Sequence, residues 1–300
     1  MSKQKVGVIG LGSMGLGVAK TLVAKGFEVH ACDVRAEVVA NFAKEGGVAA
    51  ATPAALGTAV PIAIVLVVNA DQTEQVLFGP NGAASTLAPG SVVIASSTVA
   101  PEYAIDLGKR LAAKGLLMID APVSGGAARA AKGEMTIMGS GVPAAFDKAK
   151  AVLDAIAAKV YRLGDEPGPG SKVKMINQLL AGVHIASACE AMALGIKAGV
   201  DPKVLYEVIS NSAGASWMFQ NRVPHILEGD YTPLSAVNIF VKDLGIVLDS
   251  ARKMTFPLPI TASAHQLYLA AAAHGHGYED DSAVVKVFQA LTGIELPQKS

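Results

Sequence analysis

The chain is short of charge, of cysteine and of aromatic side chains. Only 17% of its 300 residues are charged, and 25 basic side chains face 25 acidic ones. With no net charge there is no electrostatic footing for nucleic acid or an anionic membrane, so neither is expected as a partner. Aromatics make up only 5% of the residues, with a single tryptophan. Two cysteines, Cys32 and Cys189, stand far apart, without CxxC or Cys/His ligand spacing. That argues against a disulfide framework or a metal site and suits a reducing, cytoplasmic compartment. Long apolar runs are missing too. The longest, Val60 to Val68, contains Pro61 and falls far short of the roughly 18 residues of a membrane helix. The opening MSKQKVGVIGLGSMGLGVAKTLVA sets basic residues before an apolar run, but Gly7, Gly10, Gly12, Gly15 and Gly17 would break the helix of a signal sequence.

What is abundant is apolar: 51% of the residues are hydrophobic, enough for a large buried core. Three hundred residues suit two domains. Up to Leu163, short apolar runs (KVGVIG, EVHACD, PIAIVLVV, SVVIAS, LLMIDA) alternate with stretches of helical pattern. Strands alternating with helices imply a parallel sheet covered on both faces, hence a doubly wound α/β domain of Rossmann type over residues 1–163. GDEPGPGSK then breaks the pattern. Beyond it the segments 171–198, 202–212, 237–253 and 258–274 read as helices and no β run stands out, so residues 164–300 are expected to be all helical. The segment 171–195 is apolar or small nearly all round, which predicts a long, buried helix joining the two domains.

GLGSMG, residues 10–15, has the GxGxxG spacing. It follows an apolar strand, opens a helix, and is followed by a second strand ending at Asp33, 18 residues beyond Gly15. In that context the motif reads as a dinucleotide loop formed by Gly10, Leu11, Gly12, Ser13, Met14 and Gly15. Gly10 permits the turn, Gly12 lets a pyrophosphate approach the backbone, and Gly15 allows close helix packing. Asp33 would accept hydrogen bonds from the adenosine ribose and repel a 2′-phosphate, which favours NAD. Arg35 nearby could pair with such a phosphate and keeps NADP as the lesser alternative.

GPGSKVKMINQ, residues 168–178, carries two lysines and two amides. Residues three, four and seven apart share a helix face, so Lys174, Asn177, Gln178 and Ala181 form one stripe beside the apolar Val173, Ile176 and Leu180. Lys172 lies about 200° round from Lys174 and cannot join the amides. Lys174 is therefore the candidate base. A helix lining an interdomain cleft would disfavour its ammonium and bring it into the range of proton transfer.

Four blocks spread over essentially the whole chain, GLGSMG, DAPVSGG, GPGSKVKMINQ and FVKDLG, together resemble the β-hydroxyacid dehydrogenase family, which includes 3-hydroxyisobutyrate dehydrogenase and tartronate semialdehyde reductase. The resemblance implies oxidation of a small hydroxy acid with Lys174 as catalytic lysine, assisted by Asn177 and Gln178. It further implies a substrate-carboxylate site at Ser124, Gly125 and Gly126, a nicotinamide-side contact at Thr98, and a lysine near cofactor and substrate at Lys242. The family usually has asparagine where this chain has Gln178, which keeps the hydrogen bonds on a longer arm. KMINQLLAGVHIA, SAGASWMFQNRVPHIL and DYTPLSAVNIFVKDLG resemble the branch that oxidises L-threonate to 2-dehydro-L-erythronate with NAD. The alternatives are 3-hydroxyisobutyrate oxidation, a tartronate semialdehyde or glyoxylate-type reductase, and, in another class, a non-catalytic nucleotide-binding protein. Trp217, Met218 and Phe219 could wall a pocket, with Asn221 or Arg222 reaching a polyol, although an aromatic cluster is more often core. His274 and His276 in HGHG read as a surface turn, not a metal site. A homo-oligomer, dimer or tetramer, packing through the helical half completes the expectation.

Overall fold

The apolar runs of the N-terminal half are the strands of one parallel sheet. In the computed structural model, which describes residues 3–299, these are β1 (Lys5–Ile9), β2 (Glu28–Cys32), β3 (Val48–Ala49), β4 (Ile62–Val65), β5 (Val92–Ala95) and β6 (Leu117–Asp120), in the order β3-β2-β1-β4-β5-β6. The order reverses direction between β1 and β4, the switch point at which such sheets bind ligands beyond the carboxyl ends of their strands. Successive side chains point to opposite faces. Val6, Val8, Ile62, Ile64, Val92 and Ile94 pack on one side with α1 (Ser13–Ala24) and α7 (Pro143–Ile156). Ile9, Ala63, Val65, Val93 and Ala95 pack on the other, with α3 (Pro53–Ala59), α4 (Ala70–Phe78) and α5 (Pro101–Ala112). Helices α2 (Ala36–Lys44) and α6 (Gly126–Lys132) complete this half.

A second, three-stranded sheet joins β7 (Val123–Ser124), antiparallel to β8 (Met135–Gly139), which runs parallel to β9 (Ala157–Arg162). The two sheets are stitched where Asp120 and Ser140 exchange backbone hydrogen bonds of 2.9 and 2.8 Å.

The chain divides into two compact units, Met1–Lys174 and Met175–Ser300. The division falls within the first turns of α8 (Pro169–Lys197), a single helix of 29 residues. The second unit continues through α9 (Pro202–Ser210), α10 (Trp217–Glu228), α11 (Val237–Lys253), α12 (Pro259–Ala271) and α13 (Val285–Thr292). Its core gathers Ile185, Cys189 and Met192 of α8 with Phe219, Val223, Phe240, Leu244 and Tyr268. Among the described residues it contains no strand, only the isolated bridge Ala236–Asp280.

Two expectations change. The helix at Trp217–Glu228 does not stand out in the sequence because Pro224 lies inside it, yet Ser216 caps its start by accepting a 3.0 Å bond from the Phe219 N–H. And α8 is not buried all round: Ile176, Leu180 and Leu194 are 52%, 50% and 69% exposed. By length and composition α8 is apolar enough to cross a membrane, but Ile185, Cys189 and Met192 on it are core residues of the helical unit.

Candidate active site

The residues expected to hold a dinucleotide follow the carboxyl ends of the parallel strands, except Lys242, which lies within residues 237–253 of the helical unit. Gly10 to Gly15 follow β1, Asp33 follows β2, and Thr98 lies in the loop after β5. Gly10 has φ +95°, and a Cβ there would meet the Leu66 carbonyl oxygen at 2.6 Å. At Gly15 a Cβ would sit 1.9 Å from the Gly10 carbonyl oxygen, so only glycine lets α1 start this close to the turn. Gly12 differs: an added Cβ would meet nothing within 4 Å. It caps α1 without any side-chain hydrogen bond, and the space beside it at the amino end of the helix is open. Open volume above the uncapped amino end of a helix fits a pyrophosphate.

Asp33 is tied to that loop. Its Oδ2 accepts a 2.7 Å bond from the Leu11 N–H, inside the glycine loop. Its Oδ1 accepts from the Arg35 N–H at 2.9 Å and from Arg35 Nε at 2.8 Å. Burial alone would raise the Asp33 carboxyl, but the Arg35 side chain and the two backbone N–H groups outweigh it and hold it at about 2. The Arg35 guanidinium is turned onto Asp33 and donates to the Leu11 carbonyl oxygen at 2.9 Å. The guanidinium thus pairs with the acid while 55% of the Arg35 side chain stays exposed.

Ser124 ends β7, and Gly125 and Gly126, with φ of +131° and +69°, turn the chain into α6. Two consecutive left-handed residues require glycine at both. Helix α6 rests on α1: a Cβ on Gly17 would meet the Ala131 nitrogen at 2.9 Å, and Thr21 Oγ1 donates to the Ala130 and Ala131 carbonyls at 3.1 and 3.0 Å. The expected carboxylate loop and the expected phosphate helix therefore form one packed body.

Of the two lysines, Lys172 is exposed and Lys174 is buried, at 7% exposure. A hydrogen-bonded cluster holds the start of the helix that carries them. Asp120, at the end of β6 and 1% exposed, accepts at Oδ2 from the Gly168 and Ser171 N–H groups at 3.0 and 2.8 Å, and at Oδ1 from Ser171 Oγ at 2.7 Å. Ser140 Oγ donates to the same carboxylate at 3.3 Å and accepts from the Gly170 N–H at 2.9 Å. Burial pushes the Asp120 carboxyl upward against these donors.

In the second unit, Asn177, Gln178, Lys242 and Asp243 form a polar chain. Asn177 Nδ2 donates to Gln178 Oε1 at 3.0 Å, Gln178 Nε2 donates to Asp243 Oδ2 at 2.6 Å, and Lys242 pairs with Asp243 Oδ1. Gln178 and Asp243 are 8% and 2% exposed. The amide in place of the usual asparagine is thus oriented by a buried carboxylate. FVKDLG carries both Lys242 and Asp243, but sequence reasoning singles out only the lysine; the motif's acid was the available signal. Likewise Asp120 is the first residue of DAPVSGG.

Arg222 pairs inward with Asp281. It is buried in the helical core, with its Nε 2.6 Å from Asp281 Oδ1, and Met218 and Phe219 are core residues beside it. Trp217 alone of SWM is exposed. In HGHG, His274 Nδ1 lies 2.8 Å from the Ala270 carbonyl oxygen and His276 Nδ1 lies 3.0 Å from Glu279, in a π-turn ending α12. Among the described residues no three His, Cys, Asp or Glu side chains gather as a metal site would require.

Comparison with known proteins agrees with this fold. Residues 5–164 match the family model described as the NAD binding domain of 6-phosphogluconate dehydrogenase, and residues 168–288 match that described as NAD-binding of NADP-dependent 3-hydroxyisobutyrate dehydrogenase. The chain is 65% identical to the L-threonate dehydrogenase of Cupriavidus necator, over 99% of both chains, and 50% identical to that of Escherichia coli K12, over 99% and 97%. A crystal structure of a 3-hydroxyisobutyrate dehydrogenase from Salmonella typhimurium superposes with a TM-score of 0.91 at 50% identity, covering 95% of this chain and all of that one. In fold, in motifs and in sequence, the chain belongs to the 3-hydroxyisobutyrate dehydrogenase family of NAD(P)-dependent hydroxyacid dehydrogenases.

Proposed function

We propose that the protein oxidises L-threonate to 2-dehydro-L-erythronate with NAD, using Lys174 as the general base. The observation that carries the base is the contrast within one helical turn: Lys174 is withdrawn from solvent, whereas Lys172 is exposed. The substrate reading is supported by the names of the two L-threonate dehydrogenases that match over nearly the whole chain. NAD, when bound, supplies the hydride acceptor. Hydride leaves the carbinol carbon readily only if the hydroxyl loses its proton in the same event. The neutral Lys174 amine takes that proton, Asn177 and Gln178 orient the hydroxyl, and Ser124, Gly125 and Gly126 hold the carboxylate. Thr98 serves the nicotinamide side, and Lys242 adds positive charge near cofactor and carboxylate. Orienting Gln178 through Asp243 fixes which end of its amide is a donor.

A second reading, 3-hydroxyisobutyrate as substrate, is favoured by the name of the Salmonella typhimurium protein, whose crystal structure matches at 50% identity. NADH formation with NAD and a panel of L-threonate, D-threonate, D-erythronate, D-glycerate and 3-hydroxyisobutyrate separates the two. Preference for L-threonate is expected, and preference for 3-hydroxyisobutyrate would replace the substrate while leaving Lys174 in place. Lys174→Ala should bind NADH normally and lose at least about 100-fold in kcat, as removal of a general base does. We further place the protein in the cytoplasm, in keeping with its two free cysteines, and as a homo-oligomer, a reading supported by the exposed Ile176, Leu180 and Leu194 on α8 and tested by light scattering.

A further inference from the structure

The Asp120 carboxylate receives four donors from two segments that follow in sequence by 20 to 51 residues: Ser140 Oγ, the Gly168 N–H, the Ser171 N–H and Ser171 Oγ. Three of these belong to the start of α8. The helix has no acidic residue of its own in its first turn, so its amino end takes its negative partner from the end of β6. Contact leaves no slack there. A Cβ on Gly170 would meet the Asp120 carbonyl oxygen at 2.7 Å and the Met138 carbonyl oxygen at 2.4 Å, so the first turn lies directly on the strand ends. Ser171 and Lys174 stand three residues apart, about one turn of helix. In the other direction, Asp120 is four residues from Ser124, where the expected carboxylate loop begins.

We propose that Asp120 is a positioning residue for the reaction, fixing the start of α8 so that the Lys174 amine is held in register with the Ser124–Gly125–Gly126 loop. This rests on the reading of Lys174 as the base. Asp120 acts through Ser171 and the helix that Ser171 opens. A carboxylate suits the task because both its oxygens accept. An amide of the same size would turn an NH2 group toward donors on one side, and a small shift of a catalytic group lowers turnover steeply.

The test is a double-mutant cycle on the full-length protein with NAD and the preferred hydroxy acid. Asp120→Asn is expected to lower kcat by roughly 10- to 100-fold, with the NADH dissociation constant unchanged in a fluorescence titration. Ser171→Ala, which removes a single donor, should lower kcat less and in the same direction. In a Lys174→Ala background, whose residual turnover is followed over hours, neither change should lower the rate further, because the group they position is gone. If Asp120→Asn does not fold, Ser171→Ala carries the same cycle. Full loss in the Lys174→Ala background, or kcat at the wild-type level for both variants while Lys174→Ala is inactive, overturns the positioning role alone. Wild-type turnover of Lys174→Ala overturns the base and the positioning role with it.

Discussion

At the scale of single residues, the proposed reading gives Asp33 the adenosine end of the cofactor. Its two oxygens accept from Leu11 and Arg35 in the cofactor loop region. Replacing it removes hydrogen bonds to a charged acceptor, typically worth about 1.5–3 kcal/mol, and also the repulsion of a 2′-phosphate. Asp33→Ala should therefore raise the KM for NAD by roughly 10- to 100-fold and narrow the preference over NADP. The carboxyl is held at about 2, below its ordinary value. The contribution of a lowered acid is fully present above its unfolded value, near 4, and is lost only as pH falls through the folded one. NADH affinity should consequently stay flat from pH 9 to pH 5. A decline between pH 6 and pH 5 in a fluorescence titration would mean that Asp33 is not the acid being read.

At the scale of elements, GLGSMG separates packing from ligand approach. The Gly15 Cβ would enter the Gly10 carbonyl, and backbone cannot step aside as a side chain can. Gly15→Ala should cost at least about 2 kcal/mol in stability, seen as a lower melting temperature. Gly12→Ala, with open space around its added methyl, should melt as wild type yet bind NADH far more weakly. If both variants melt alike, the loop is looser than this geometry states. The tight packing at Gly10 and Gly15 was legible from spacing alone, because a glycine motif between an apolar strand and a helix is a local signal. The parallel sheet was legible for the same reason, since each of its five longer strands is mostly apolar and bounded by turns. The second sheet was not: β7 is two residues long, and β9, AAKVYR, has no fully buried residue to mark it. The Lys174 stripe was readable on a helical wheel, whereas the Asp120 bonds that hold that helix span 48 to 51 residues. No short-range pattern encodes them. The exposed face of α8 was not legible because composition tells how apolar a helix is, not which side has a partner.

At the scale of the whole molecule, each unit has its own core, and the helical one contains a buried ion pair. Arg222 and Asp281 are 8% and 0% exposed, and Asp280 and Tyr268 lie close enough to act on them electrostatically. Burial pushes the Asp281 carboxyl up to about 6, against the pull of the Arg222 guanidinium. The sign is opposite to that at Asp33. A raised acid stabilises the fold most below its unfolded value, near 4, and loses that contribution as pH rises through about 6. Such a pair adds little over an apolar substitute, but removing one partner strands the other. Arg222→Met leaves Asp281 either charged without its partner or obliged to take a proton. At pH 8 the proton is costly, and the variant should lose roughly 3–5 kcal/mol. At pH 5 the carboxyl takes the proton with little cost, so the loss should shrink. Denaturant titrations of wild type and Arg222→Met at the two pH values test this directly. An equal loss at both would assign the penalty to the missing volume of the arginine and not to the stranded charge. Because the sequence offers Arg222 as a residue that could reach a polyol from SWMFQNR, the same variant should keep the KM for the hydroxy acid at 25 °C while it remains folded, and a raised KM there would return Arg222 to the substrate.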